Sequence, residues 1–240
     1  MKGKYNIICG DCLSEMRKMP DCSVDVIFTS PPYNDEGNAE SGKKRGHLKY
    51  NTVEYRGDWY EWQAECIEEM LRVTKKYVLY NVQALYSNRE NVYRLIGRFA
   101  DRLHTILIWY KPNAQPQSHP HKIGNFYEMV MVLRGGEFDG LSVTSVSYKN
   151  VVVKNINTNH TFSDKHRAVM CQEFADEMIR EFSNPGDTVL DPFSGLGTTG
   201  ISCVNQGRDY IGIEISEEYC EMSRNRIEDE MRQISIFDIA

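Results

Sequence analysis

The feature that most constrains this chain is a series of short apolar, β-branched runs. Each is cut off by turn residues and followed by a stretch with helical spacing. The clearest is Val24–Thr29, VDVIFT, stopped by Pro31-Pro32; proline cannot continue a central ladder. YNIICGD near the N-terminus reads as a short strand entering a turn, and Lys76–Val82, LHTILIWY (103–110) and FYEMVMVL (126–133) read as further strands. TVLD follows the turn Asn184-Pro185-Gly186-Asp187, and YIGIEI comes later. Residues 59–75 carry Trp62, Cys66, Ile67, Met70 and Leu71 on one helical face. Asn88 can cap a helix reaching about Ala100, and further helices are expected from about Cys171 to Phe182, from about Gly197, and from Ser216. Strands alternating with helices imply an α/β fold with a doubly wound, mostly parallel sheet. Ligands of such sheets bind beyond the carboxyl ends of the strands, so function is sought there.

A chain of 240 residues suits a single domain with loop insertions, taken here as 1–240. Two excursions leave the strand–helix pattern, 34–58 and 134–160, and no repeat or low-complexity tract is visible. The start, MKGKYNIICGDC, lacks an apolar core of signal-peptide type. No apolar run approaches the roughly 20 residues that span a bilayer, so a cytoplasmic protein without a membrane partner is expected. The seven cysteines are odd in number and scattered. That argues against a disulfide framework and for buried free thiols, and the single C-x-x-C string, Cys9–Cys12, does not make a zinc site.

The net charge is −6, yet its distribution is uneven. Lys43, Lys44, Arg45 and Lys49 stand together without an acid, and residues 102–167 carry eight Lys/Arg against four Asp/Glu. The tail from Arg208 carries four arginines against nine acids. An acidic body with local basic stretches fits either a solvated surface or one phosphate-facing side.

Two strand ends carry the chemistry. After TVLD comes Asp191-Pro192-Phe193-Ser194-Gly195-Leu196-Gly197-Thr198-Thr199-Gly200. Its glycines let the backbone turn sharply beside a ligand, and the following helix offers N-terminal amides there. Glu214 ends the next strand, where a carboxylate can accept from both hydroxyls of a ribose. The loop holds no lysine and is no phosphate-binding P-loop. After VDVIFT comes Thr29-Ser30-Pro31-Pro32-Tyr33. Prolines hold their carbonyls rigidly, Ser30 adds an acceptor, and Tyr33 offers a flat face. This suits a planar group bearing an NH2, although a plain strand-ending turn would also use these residues.

The pair SPPY and DPFSGLGTTG, in that order, resembles the amino-group DNA methyltransferases, in the β arrangement of their motifs. ICGDC leading into TSPPYN strengthens the likeness, which covers about Ile7 to Ile227 outside the loops. The resemblance implies a seven-stranded Rossmann-like methyltransferase sheet and S-adenosyl-L-methionine as cofactor. Asp191, Phe193, Gly195, Gly197, Thr198 and Thr199 would hold its methionine part, Glu214 its ribose, and Asp11 with the Cys12 amide its adenine. Lys165-His166-Arg167 departs from the family's K-H-P segment, and His166 is carried over as a cofactor residue on that partial match.

For catalysis the resemblance implies a base flipped out of double-stranded DNA and stacked on Tyr33. Its amino hydrogens would be accepted by Ser30 and the Pro31 carbonyl, with Pro32 stiffening the turn. Trp109-Tyr110-Lys111-Pro112 resembles the family's W-x-K-P segment near the target base, with core packing the alternative for Trp109; Glu128 matches an acid of structural character. Lys43, Lys44, Arg45, Lys49, Lys149 and Lys154 are candidates for phosphate contact, Lys111 of the W-x-K-P segment is a further DNA-binding candidate, and target recognition is expected in the two excursions. Serine at the head of P-P-Y favours cytosine N4, with adenine N6 the alternative. Other readings are methylation of RNA or of a protein glutamine, and an inactive nucleic-acid-binding module. A homodimer and a cognate restriction endonuclease are further expected partners.

Overall fold

The computed structural model describes residues 2–32, 58–85, 88–114, 124–136, 143–156 and 170–237. These form eight strands and six helices: β1 (Tyr5–Cys9), α1 (Cys12–Met16), β2 (Val24–Thr29), α2 (Trp59–Val73), β3 (Thr74–Val82), α3 (Arg89–Arg98), β4 (Leu103–Tyr110), β5 (Tyr127–Arg134), β6 (Val151–Val153), α4 (Gln172–Phe182), β7 (Thr188–Asp191), α5 (Thr198–Asn205), β8 (Asp209–Glu214) and α6 (Glu217–Phe237). All eight strands join one sheet in the order β1-β8-β7-β2-β3-β5-β4-β6.

The strands alternate apolar side chains to two covered faces, as a buried parallel sheet requires. Val26, Phe28, Leu79, Val130, Val132 and Val189 point into one core with Phe174, Met178 and Ile179 of α4 and Ile201 of α5. Their sequence neighbours Ile27, Val78, Tyr80, Met129, Met131 and Leu190 point into the other, with Trp59, Ile67 and Met70 of α2 and Leu95 of α3. The α2 stripe begins at Asp58, whose carboxylate accepts from the Tyr60 amide at 2.8 Å and caps the helix.

β7 pairs in parallel with β8 on one side and β2 on the other. From β7 the chain crosses through α5 to β8, and from β2 through α2 to β3, in opposite directions across the sheet. The topological switch point therefore lies between β7 and β2, where an open α/β sheet leaves a crevice. Only β5 runs antiparallel to its neighbours, and its start lies at the same sheet end as the ends of β3 and β4.

Four details differ from the sequence expectation. The sheet has eight strands rather than seven, because Val151–Val153 pairs with the end of β4. That strand lies within the 134–160 excursion, so part of the excursion belongs to the sheet. Helix α1 was not anticipated; at five residues it shows no period in the sequence. Asn88 stands at the N-cap of α3, but its side chain makes no capping bond to the helix: it accepts from the Leu85 amide at 2.7 Å and donates to the Gln83 carbonyl at 3.2 Å. Cys9 of β1 is joined to Cys220 of α6 across 211 residues, with Cα atoms 6.1 Å apart, whereas Cys12, Cys22, Cys66, Cys171 and Cys203 are free. Among the described residues no helix is long and apolar enough to cross a membrane.

Candidate active site

The ends of β1, β8, β7 and β2 lie side by side, because Cys9 stands beside Glu214, Asp191 beside Gly212, and Ile27 beside Leu190. Asp11 caps α1, its Oδ1 accepting from the Ser14 amide at 2.8 Å. Cys12 follows, buried, its Sγ 3.9 Å from that of Cys66. Glu214 is half-buried; one carboxylate oxygen accepts from the Gly195 amide and the other from the Ser216 amide, each at 2.9 Å. Each oxygen keeps a second lone pair for a hydroxyl. Burial raises the Glu214 pKa above the ordinary carboxylate value, against the pull of the amides.

Between Asp191 and α5 the loop takes left-handed turns at Gly195 (φ 50°) and Gly197 (φ 75°). A Cβ on Gly197 would come within 2.2 Å of Ser223 Oγ, so only glycine fits. Thr198 and Thr199 open α5 as buried residues. Phe193 is half-buried, edge-on to Trp62 at 5.7 Å. Asp11 and Glu214, at the ends of β1 and β8, stand with a glycine turn at the start of α5. That donor set fits an adenosine-bearing cofactor, with Asp11 and Glu214 as acceptors for amino and hydroxyl groups.

Asp191 takes a different part from the one expected. It is 4% exposed. Its Oδ1 accepts from Thr29 Oγ1 at 2.7 Å and from the Phe193 amide at 3.1 Å, and its Oδ2 accepts from Thr199 Oγ1 at 2.8 Å. Both oxygens are thus engaged within the protein. Burial pushes its pKa up to about 6 despite these three donors. The carboxylate is a brace that ties the end of β2, one residue before Ser30, to the glycine loop. Thr29 and Thr199 were legible in their motifs, but their common partner was not.

Ser30 is half-buried and Pro31 buried. Asn81, at the end of β3, donates to Ser30 Oγ at 3.3 Å. The Pro32 carbonyl accepts from the Trp59 indole at 3.2 Å, which fastens the motif to α2. Neither Asn81 nor Trp59 carried a signal in the sequence, because each acts across strands or segments. Tyr33, His166, Lys43, Lys44, Arg45 and Lys49 lie outside the described residues.

The remaining candidates for DNA contact separate. Trp109 is buried, stacks on Phe174 with centroids 4.2 Å apart, and donates its indole N–H to the Lys154 carbonyl at 3.0 Å; it is a core residue. Lys111 is 6% exposed and its ammonium lies 2.7 Å from Glu128 Oε1, so it does not reach out to a phosphate. Lys154 pairs with Glu177 at 3.0 Å. Lys149 is exposed.

Fold and site together define an α/β protein with two acids and a glycine loop gathered at its switch point and a proline-stiffened acceptor group beside them. A sequence model of the N6/N4 DNA methylases, described as DNA methylase, matches residues 24–225. The chain belongs to that family. It is 28% identical to the DNA adenine methyltransferase YhdJ of Escherichia coli K12, over 92% of this chain and 82% of that protein. Its fold is similar to that of the PvuII DNA methyltransferase, described as cytosine-N4-specific, with a TM-score of 0.71 at 17% identity, covering 98% and 93% of the two chains. It is also similar to a putative DNA modification methylase of Thermus thermophilus complexed with S-adenosyl-L-methionine, with a TM-score of 0.66 at 20% identity over 94% of both chains.

Proposed function

We propose that this DNA methyltransferase transfers a methyl group to the exocyclic amino nitrogen of a base flipped out of duplex DNA, at cytosine N4 in preference to adenine N6. The observation that carries the reading is the Asp191 brace. A single buried carboxylate bonded to Thr29 and Thr199 keeps the Ser-Pro-Pro turn and the glycine loop in one geometry. That is what positioning two reactants demands, and such positioning can supply about 7–11 kcal/mol.

S-adenosyl-L-methionine, held by Asp11, Glu214 and the loop from Phe193 to Thr199, would supply an electrophilic sulfonium methyl. The protein's own residues do the rest. The Pro32 carbonyl is already engaged by Trp59, which leaves Ser30 Oγ and the Pro31 carbonyl to accept the two amino hydrogens. Those bonds draw the nitrogen toward tetrahedral geometry and localise its lone pair. With the cofactor bound, the nitrogen would form its bond to the methyl carbon while the C–S electron pair stayed with sulfur, and the proton released from the amino group would pass to water. Tyr33 supplies the face on which the base stacks. Serine at the head of the motif supports cytosine N4.

The test is transfer of labelled methyl to duplex DNA in competition with RNA, by the wild type and by Tyr33→Ala. Duplex DNA should win. Tyr33→Ala should lose at least about a hundredfold in kcat, on the order of 3 kcal/mol from one stacked base, while its affinity for S-adenosyl-L-methionine stays within twofold or so of wild type. Preference for RNA, or full activity of Tyr33→Ala, would contradict the reading.

A further inference from the structure

Asn81 stands next to last in β3, 1% exposed, among strand neighbours that are apolar. Its amide nitrogen donates to Glu128 Oε2 at 2.6 Å and to Ser30 Oγ at 3.3 Å. Glu128, from the neighbouring β5, pairs through its other oxygen with Lys111 Nζ at 2.7 Å. Both partners of that pair are buried, with side chains 8% and 12% exposed. Removing two charges from water is costly, and an apolar pair of similar size is often at least as stable. Stability therefore does not account for a charged pair here, at the end of the sheet that carries the motif.

The arrangement has a direction. The ammonium of Lys111 faces one oxygen of Glu128, and the other oxygen faces the Asn81 amide. A carboxylate accepts and does not donate, so it selects the NH2 side of the amide. With both amide hydrogens used, Asn81 Oδ1 has no hydrogen-bond partner among the described residues. Turning the amide over would set Oδ1 against the carboxylate. Glu128 thus decides that Ser30 receives a hydrogen from Asn81. A serine hydroxyl has two acceptor positions and one donor; with one acceptor position filled, its rotor is held and a single acceptor position remains for a substrate hydrogen.

We propose that Asn81, oriented by the Glu128–Lys111 pair, is the positioning residue for the Ser30 hydroxyl. This rests on Ser30 acting as an acceptor for the base amino group. The test is a double-mutant cycle with Asn81→Thr and Ser30→Ala, following kcat, KM and affinity for S-adenosyl-L-methionine. A threonine hydroxyl has one hydrogen, which can serve Glu128 or Ser30 but not both. Asn81→Thr should lower kcat about tenfold, the worth of one hydrogen bond, with cofactor affinity unchanged, and should cause no further loss in the Ser30→Ala background. The same fractional loss in both backgrounds, or no loss in kcat, would overturn the proposal. Should Asn81→Thr fail to fold, Glu128→Leu combined with Lys111→Met removes the pair as a unit, and the same pattern is expected. Should Ser30→Ala be inactive, the side-chain amide NMR signals of Asn81 decide: they should shift in Ser30→Ala, and unchanged signals would overturn the proposal. A wild type that methylates no amino group would defeat the underlying reading before any variant is compared.

Discussion

Asp191 meets three donors in a fully packed setting, and burial still raises its pKa from 3.8 to about 6. Its protonated form is thus favoured in the folded chain more than in the unfolded one. The stability this contributes is complete below about pH 4 and is lost as pH rises through about 6. At 1.36 kcal/mol per unit, the loss is on the order of 3 kcal/mol. Glu214, raised by burial as well, acts in the same direction. The variant Asp191→Asn does not ionise; its Oδ1 can still accept from Thr29 and Phe193, while its NH2 would donate to the Thr199 hydroxyl instead of accepting from it. Denaturant unfolding of both proteins from pH 4 to pH 7 should show wild type losing about 3 kcal/mol relative to the variant. A constant difference across that range would mean that the carboxyl is not desolvated as described. The same residue illustrates what a motif conceals: DPF marks a loop, but that its acid faces Thr29 rather than a ligand follows from β7 lying beside β2.

At the scale of elements, the start of α5 depends on Gly197, left-handed at φ 75° with no room for a Cβ beside Ser223. Gly197→Ala should cost about 1–3 kcal/mol from backbone strain. It should also weaken binding of S-adenosyl-L-methionine more than the lowered midpoint of thermal unfolding would suggest. Calorimetry and a binding titration separate the two, and an unaltered Kd would remove this turn from the cofactor cleft.

The elements legible in the sequence were those with a strong period. VDVIFT, KYVLYNV and TVLD alternate between two covered faces, and the α4 stripe from Phe174 to Phe182 repeats at helical spacing. An element too short to show a period was not legible, namely α1 with five residues; the three-residue β6 reads only as a short strand somewhere within 134–165. Side-chain pairings across strands were equally hidden. Lys111 reads as a free basic residue until β4 and β5 bring Glu128 beside it. For Trp109 the sequence leaves base contact and core packing both open, and Phe174 of α4, stacked on its ring, decides for the core.

Over the whole molecule, one sheet end gathers acids from β1 and β8, a glycine loop from β7 and the Ser-Pro-Pro turn from β2. The fold achieves this by reversing its winding between β7 and β2. The order of the motifs along the chain matters less than that reversal, because the crevice forms wherever two crossovers part. The central claim is that this crevice delivers a methyl group to a base amino nitrogen. Its most direct test is nucleoside mass spectrometry of unmethylated, mixed-sequence duplex DNA incubated with the protein and S-adenosyl-L-methionine. The account predicts N4-methylcytosine in the digest, formed more slowly when Ser30→Ala replaces the wild type. N6-methyladenine would keep the mechanism and overturn the choice of base; 5-methylcytosine, or no methylated base from a folded, cofactor-bound protein, would contradict the account.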